Sequence, residues 1–305
     1  YEIRLSLVGS EMCIRDRKGA KLLTWLFLAP TLIGIGVFTL LPIVGSLVLA
    51  FFRWDIISDP QFVGLDNFGR LLGDETVRVS FMNTAIFVVF AVALQLFVAM
   101  LLAVLVQSKM PNWLRGILRS TFFFPLILSA ASVSILMKYL FNEQFGVVNW
   151  FLSLVNIPAV PWLTSGQCAM VVVIAVYVWQ QFGFSFLLFI GGLASIPRDV
   201  YEASSIDGAT GWKQFRSITL PLVSPTILVA TVMAMISAMQ IFDQPYVLTK
   251  GGPGDSTRTV VMVIYETAFR QLDFGYASAI GLILMLAIML VTFIQFRLSR
   301  ALVFY

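Results

Sequence analysis

Residues 201–225 read YEASSIDGATGWKQFRSITLPLVSP, a polar stretch lying between one apolar run, Met170–Ile190, and the next, Ile227–Leu248. Just upstream, Pro197 followed by Asp199 and Glu202 is how a helix begins. Proline lacks an N–H that would go unbonded in the first turn, and acidic side chains there oppose the helix dipole. Gly208 is suited to ending that helix, because a left-handed backbone costs glycine little. The spacing predicts a helix over Pro197–Asp207, with Val200, Ala203 and Ile206 on one face and Tyr201 at its flank. Thr210 is placed to cap a second short helix, in which Trp212, Phe215 and Ile218 recur as an apolar stripe. Pro221 is expected to end it and Pro225 to open the next span. The expectation is helix, glycine turn, helix, lying along a membrane surface.

What such a hairpin rests on follows from its charges. The first helix carries Asp199, Glu202 and Asp207 against Arg198, an excess that anionic lipid headgroups repel. Its apolar residues are few for lipid anchoring. The second helix, with Lys213 and Arg216, suits lipid better. Carboxylates presented on an exposed helix suit a socket on a protein partner.

The rest of the chain makes the membrane setting firm. Its 305 residues are 59% hydrophobic and 12% charged, with a mean hydropathy of +0.91. Soluble domains carry about a quarter charged residues, so the composition is that of an integral membrane protein. There is no histidine and there are two cysteines, Cys13 and Cys168. That removes the commonest metal ligand and general base and leaves no disulfide or zinc framework. A net charge of +4 gives no support to nucleic-acid binding. About 20 apolar residues cross a bilayer, and six runs qualify: Leu22–Leu47, Thr84–Val106, Thr121–Leu140, Met170–Ile190, Ile227–Leu248 and Ser278–Phe296. They are too long for strands and lack two-residue alternation, so helices are the expected spanning form.

With six spans and a cytoplasmic start, both termini and the 197–221 hairpin lie inside. The inside segments then hold thirteen Lys and Arg against six acids, an excess of +7, and the remainder seven against ten, an excess of −3, which together restore the net +4. The Lys/Arg asymmetry is what sets orientation. The stretch Leu5–Arg17, LSLVGSEMCIRDR, resembles a translated sequencing-adapter read-through. Residues 1–17 are therefore expected to be a non-native leader and are set aside from fold reasoning. Without them the inside excess stays +7 and the Lys/Arg count becomes ten against seven.

Glu202, Ala203, Asp207, Gly208 and Ala209, followed by Ile218, Leu220 and Pro221, resemble the "EAA" coupling loop of the membrane subunits of binding-protein-dependent ABC importers. The similarity extends over about Lys18–Tyr305, through FLAPTLIGIGVFTLLPIVGSL at Phe27–Leu47, FVGLDNF at Phe62–Phe68 and VLTKGGPGDSTRTVVMVIYETAF at Val247–Phe269. These resemble ABC sugar permeases, in particular the first permease of maltose, lactose and glycerol-phosphate importer pairs. One departure is Ser204, where the pattern has alanine. The resemblance implies an all-α, six-helix integral membrane fold of the type I importer class in a bacterial inner membrane. It also implies partners: a second permease, two cytoplasmic ATPases carrying ATP and magnesium, and an extracytoplasmic solute-binding protein. This chain has no Gly-rich phosphate loop ending in Lys-Ser/Thr, so it is read as a transport subunit with no catalytic residue, metal or bound cofactor. Alternating access is the implied mechanism, with the hairpin as lever. Glu202 and Asp207 are expected to make polar contacts to the ATPase, Gly208 to form the turn and Ala203 to allow close approach. Ala209, Phe215, Leu220 and Pro221 complete the coupling set.

In the resembling family the helices on either side of the coupling loop contribute to the solute path. Here they carry Trp179, Gln180 and Gln181, and Ser237, Gln240 and Asp243. Polar residues within spans face a cavity or a neighbouring helix. Amides and a carboxylate bond sugar hydroxyls, aromatic faces stack on pyranose C–H surfaces, and Gln and Ser equally bond across helix interfaces. A self-sufficient secondary transporter of a small polar solute is the main alternative. That class often shows internal repeats and deep ionisable groups, and here no repeat is strong enough to identify and deep charges are nearly absent. A membrane-embedded enzyme lacks its acid/base set, and nothing resembles a channel filter.

Overall fold

The computed structural model describes residues 17–107 and 110–299. Residues 1–16 of the expected leader lie outside the described residues, as do Lys109, Arg300 and the two chain ends on which the orientation partly rests. The described chain is mostly helical, with one two-residue ladder and connecting loops. In order it runs α1 (Arg17–Ile35), α2 (Leu41–Leu49), β1 (Phe52–Arg53), β2 (Gln61–Phe62), α3 (Asp66–Gly73), α4 (Glu75–Gln107), α5 (Asn112–Ile127) and α6 (Ala130–Leu140). It continues with α7 (Val147–Leu154), α8 (Gly166–Ala194), α9 (Arg198–Ile206), α10 (Gly211–Gln214), α11 (Leu220–Met239), α12 (Asp243–Leu248), α13 (Val260–Phe269) and α14 (Phe274–Ser299).

Among the described residues five helices are long and apolar enough to cross a membrane, and a sixth crossing arises if the bent pair α5–α6 counts as one. The centre is α4 against α8. Ala91, Gln95, Ala99 and Ala103 recur every four residues along α4, and all are buried. Small side chains let helix backbones approach closely where lipid supplies no hydrophobic drive between them. Around this seam pack Phe87, Val173, Val176 and Tyr177 toward one end and Phe186, Phe189, Leu193 and Ala230 toward the other. Between them the Gln95 amide donates to Ser185 Oγ at 2.9 Å.

Two expected spans are not straight. The run Thr121–Leu140 is broken between α5 and α6, which meet at 98°. Pro125 sits in the last turn of α5, where proline removes a ladder hydrogen bond, and Leu128 and Ser129 are extended, with ψ of 144° and 129°. The run Ile227–Leu248 likewise stops at Met239, so Asp243 opens a separate helix, α12. The carbonyl left free by this second break, on Ile241, accepts from Thr259 Oγ1 at 3.0 Å.

The prolines at 221 and 225 do not act as expected. Helix continues from Gly211 to Met239 through a π-turn, Phe215–Thr219, and both prolines lie inside it. Leu220 N bonds back five residues to Phe215 O. Widening the helix by one residue carries the chain past a proline ring that would otherwise meet the carbonyl four residues back. The same device, a π-turn at Gly36–Leu40, precedes Pro42 between α1 and α2. Short helices α3, α7 and α13 occupy segments between the expected spans. The glycine-rich turn at 251–254 is fixed by Asn83, whose amide donates to Asp255 O at 2.6 Å and Arg258 O at 3.1 Å.

Gly183 brings α5 onto α8, because a β-carbon there would lie 2.6 Å from the backbone oxygen of Phe122. Gly183→Ala should cost about 1–3 kcal/mol through forced separation of the two helices. It should therefore lower the thermal midpoint of the detergent-purified chain. Gly191→Ala, which meets nothing within 4 Å, should leave that midpoint unchanged.

Candidate functional site

The hairpin is built as two helices clamped by polar side chains. α9 starts at Pro197, ends at Asp207 and reverses at Gly208, whose φ is +76°. Gly208 N donates to Ser205 O and Ala209 N to Ser204 O. The residues holding the arms together are ones the sequence reading left out of its site. Gln214 Nε2 donates to Tyr201 O at 3.1 Å and Ser204 Oγ at 2.7 Å, and Tyr201 Oη meets Thr219 Oγ1 at 3.2 Å. Ser204, the departure from the alanine pattern, is buried and forms this joint.

The face of α9 turned to the protein carries Val200, Tyr201 and Ser204, while Ala203 and Ile206 of the expected apolar face are exposed. A helical turn from Val200 reaches Ser204, whose hydroxyl is satisfied by the clamp, and this rotates Ala203 and Ile206 outward. Glu202, Ala203, Asp207 and Gly208 are exposed together, with Ile206 87% exposed among them. Ala209 is buried behind the turn, and Phe215 and Pro221 are half-buried, with Leu220 exposed at the span's edge. The result is an exposed apolar residue on the same surface as the carboxylates of Glu202 and Asp207.

The second candidate place lies between α4, α5, α8 and α11. A cavity of about 230 Å³ is lined by Gln95, Leu126, Tyr177, Gln181, Phe184, Met233, Ala234 and Ser237. It joins Gln181 and Ser237, two of the expected path residues, and adds Gln95 and Tyr177. Gln95 Oε1 and the Tyr177 hydroxyl are buried without a hydrogen-bond partner among the described residues. Unsatisfied buried polar atoms cost about 1–3 kcal/mol each, so these two are groups that a bound polar solute would satisfy. Gln95 was legible as an amide in an otherwise apolar span, the usual mark of a functional position.

The other expected path residues lie elsewhere. Gln180 is 3% exposed and faces protein, donating to Leu128 O and accepting from Gln244 Nε2, each at 2.9 Å. Trp179 turns outward and is 39% exposed. Gln240 caps the end of α11 and Asp243 starts α12, both exposed and neither lining the cavity. A larger groove of about 820 Å³ runs along α4 and α8 past Ile86, Phe90, Phe97 and Val171. Its walls are almost wholly apolar, which suits a membrane-facing surface and not a polar solute.

A family model described as binding-protein-dependent transport system inner membrane component matches residues 95–303. The chain is 34% identical over 281 residues to the lactose transport system permease protein LacF of Rhizobium radiobacter, covering 90% of this chain and 93% of that protein. It is 31% identical over 280 residues to the trehalose/maltose transport system permease protein MalF of Thermococcus litoralis, covering 91% and 94%. Its fold matches, at a TM-score of 0.82 and 23% identity, a chain of a bacterial ABC transporter involved in the import of the acidic polysaccharide alginate, covering 93% of this chain and 96% of that one. The same agreement holds for a bacterial alginate ABC transporter in complex with an alginate pentasaccharide-bound periplasmic protein.

Proposed function

The chain belongs to the family of binding-protein-dependent transport system inner membrane components, and from that premise we propose that it is the permease subunit of an ATP-driven sugar importer. The names of its relatives, a lactose and a trehalose/maltose permease among them, support sugar as cargo. A second permease, two cytoplasmic ATPases carrying ATP and magnesium and an extracytoplasmic solute-binding protein complete the working unit. Both chain ends and the hairpin face the cytoplasm in this reading, residues 1–17 are a non-native leader, and residues 18–305 form the transport unit.

One observation carries the mechanism: a helical stretch from Gly211 to Met239, continued through the π-turn at Phe215–Thr219, bears the hairpin's second arm at one end and Ser237 of the cavity at the other. From Trp212 to Ser237 that rod is about 38 Å long. A displacement of the docked hairpin therefore reaches the cavity wall along one continuous helical stretch, bent or not at its π-turn and prolines. Glu202, Ile206 and Asp207 seat in the ATPase, Gly208 sets the turn, and the Gln214 clamp makes the arms move as one body. ATP binding draws the hairpins together and opens the cavity outward to receive sugar from the binding protein. Hydrolysis resets it. The coupling is the difference in contact free energy between those two states. Gln181, Ser237, Gln95 and Tyr177 supply hydroxyl-directed hydrogen bonds, and Phe184 a ring for a sugar's C–H face.

The test is reconstitution with cognate partner subunits in proteoliposomes, followed by sugar-loaded binding protein and ATP. The expected result is sugar uptake that stops without ATP and ATP hydrolysis stimulated by the loaded binding protein. Uptake driven by an ion gradient in the absence of ATPases would instead make the chain a secondary transporter.

A further inference from the structure

The helix pair α6–α12 lies between the inner cavity and an outer groove. Leu126, just before the break in α5, and Ser237, just before the end of α11, line the inner cavity. Past each break the chain continues into α6 and α12, which pack on one another. At their far ends Lys138 and Leu248 line a polar groove of about 410 Å³, with Asn142, Glu143, Thr164 and Thr249. Both helices join the body through interrupted backbone, where a hinge needs no rupture of a helical ladder. One buried bridge ties the two breaks together. Gln180 of α8 donates to Leu128 O at the α5–α6 break and accepts from Gln244 of α12, at 2.9 Å each. Both glutamines are buried, at 3% and 4% exposure.

We infer that α6–α12 is the outer gate of the transport cavity and that the Gln180–Gln244 bond is its latch. This rests on the cavity being the solute path proposed above. Side-chain amides suit the task. They are uncharged, so breaking the bond inside the membrane exposes no ion, and a single bond between neutral groups contributes modestly. The closed gate is therefore favoured without being locked. A solute bound to Tyr177 or Gln181, on the same helix as Gln180, sits within one turn of the latch and can bias it.

The test places a reporter thiol at Ser237→Cys in assembled transporter, with Cys13 and Cys168 changed to serine, in proteoliposomes sorted for outward orientation. An impermeant maleimide is added from outside. Without nucleotide, Gln244→Met should label faster than the unaltered latch on the order of tenfold, the population shift that one lost buried hydrogen bond produces. Gln180→Met should gain at least as much, and the double variant should match Gln180→Met, because the two residues share one bond. With a non-hydrolysable ATP analogue the gate is open in every variant, so the rates should converge. Convergence separates a latch from general loosening, which would speed labelling in both conditions. Unchanged rates in the nucleotide-free variants, or a difference that persists with the analogue, would overturn the latch. Absence of labelling in the unaltered protein with the analogue would instead remove the cavity reading, and the latch with it. If Gln244→Met fails to assemble, Gln244→Asn, one methylene too short to reach Gln180, reads the same outcome.

Discussion

Gly208→Val should abolish stable association with the partner ATPases and lower ATP-driven sugar uptake by about two orders of magnitude, leaving the membrane-spanning body folded. Gly208 has φ +76° and nothing within 4 Å of the place a β-carbon would occupy. The cost of a side chain there is thus entirely in the backbone. It is small for alanine but prohibitive for a β-branched residue, which does not settle in the left-handed region. The turn must then rearrange, and α9 loses its set against α10. Because the hairpin projects from the body, the spans should keep their thermal midpoint. Glu202→Lys tests docking from the other side. The residue is exposed, so reversing its charge leaves the hairpin intact while placing a cation where the partner would meet a carboxylate. Gln214→Leu removes the clamp to Tyr201 O and Ser204 Oγ and should leave docking intact but loosen transmission, so hydrolysis persists while uptake falls. Co-purification with tagged ATPase, measured beside uptake, separates the three. If all three variants retain both ATPase and full uptake, the hairpin is not the coupling element.

The hairpin was legible because its signals are local. Pro197, Asp199 and Gly208 mark a start and a stop by chemistry that depends on neighbouring residues alone. The spans were legible for a similar reason, since apolar length is a property of a continuous segment. What failed depends on partners distant in sequence. Pro221 read as the end of one helix and Pro225 as the start of the next, yet one helix passes both by widening at Phe215–Thr219, a register change that no composition signals. The break in Thr121–Leu140 is stable because Gln180, over fifty residues away in sequence, takes the carbonyl of Leu128. The same separation hid the cavity. Gln181 and Ser237 could be singled out as polar residues in spans, but Gln95 and Tyr177 join them only through the α4–α8 seam. Gln180 and Gln181 are adjacent in sequence and chemically identical, and one turns into a helix junction while the other turns into the cavity. A helix rotates each residue by about 100° from the last, so residue type alone does not divide such a pair.

That division yields the second large effect. Gln181→Leu should raise the half-saturating concentration of sugar-loaded binding protein or cut maximal uptake by about 10–100-fold, with ATPase association unchanged. Gln181 lines the cavity opposite Ser237, and leucine keeps its bulk while deleting the amide. A solute hydroxyl that had shed water to reach the cavity would then be left unpaired, a loss of about 1–3 kcal/mol. Tyr177→Phe isolates one oxygen. Its hydroxyl is buried and has no hydrogen-bond partner among the described residues. If solute is its partner, phenylalanine should weaken uptake and at the same time raise the thermal stability of the solute-free protein, because an unsatisfied buried group has been removed. A purely structural hydroxyl would not move the two measurements in opposite directions. Trp179→Leu is the control on the same helix. Its ring turns outward at 39% exposure, so uptake should be nearly unaltered although the tryptophan is the residue most suited by type to stack on a sugar. Should Trp179→Leu abolish uptake while Gln181→Leu and Tyr177→Phe do not, the solute runs along the outward face of α8, and the cavity between α4, α5, α8 and α11 is packing space alone.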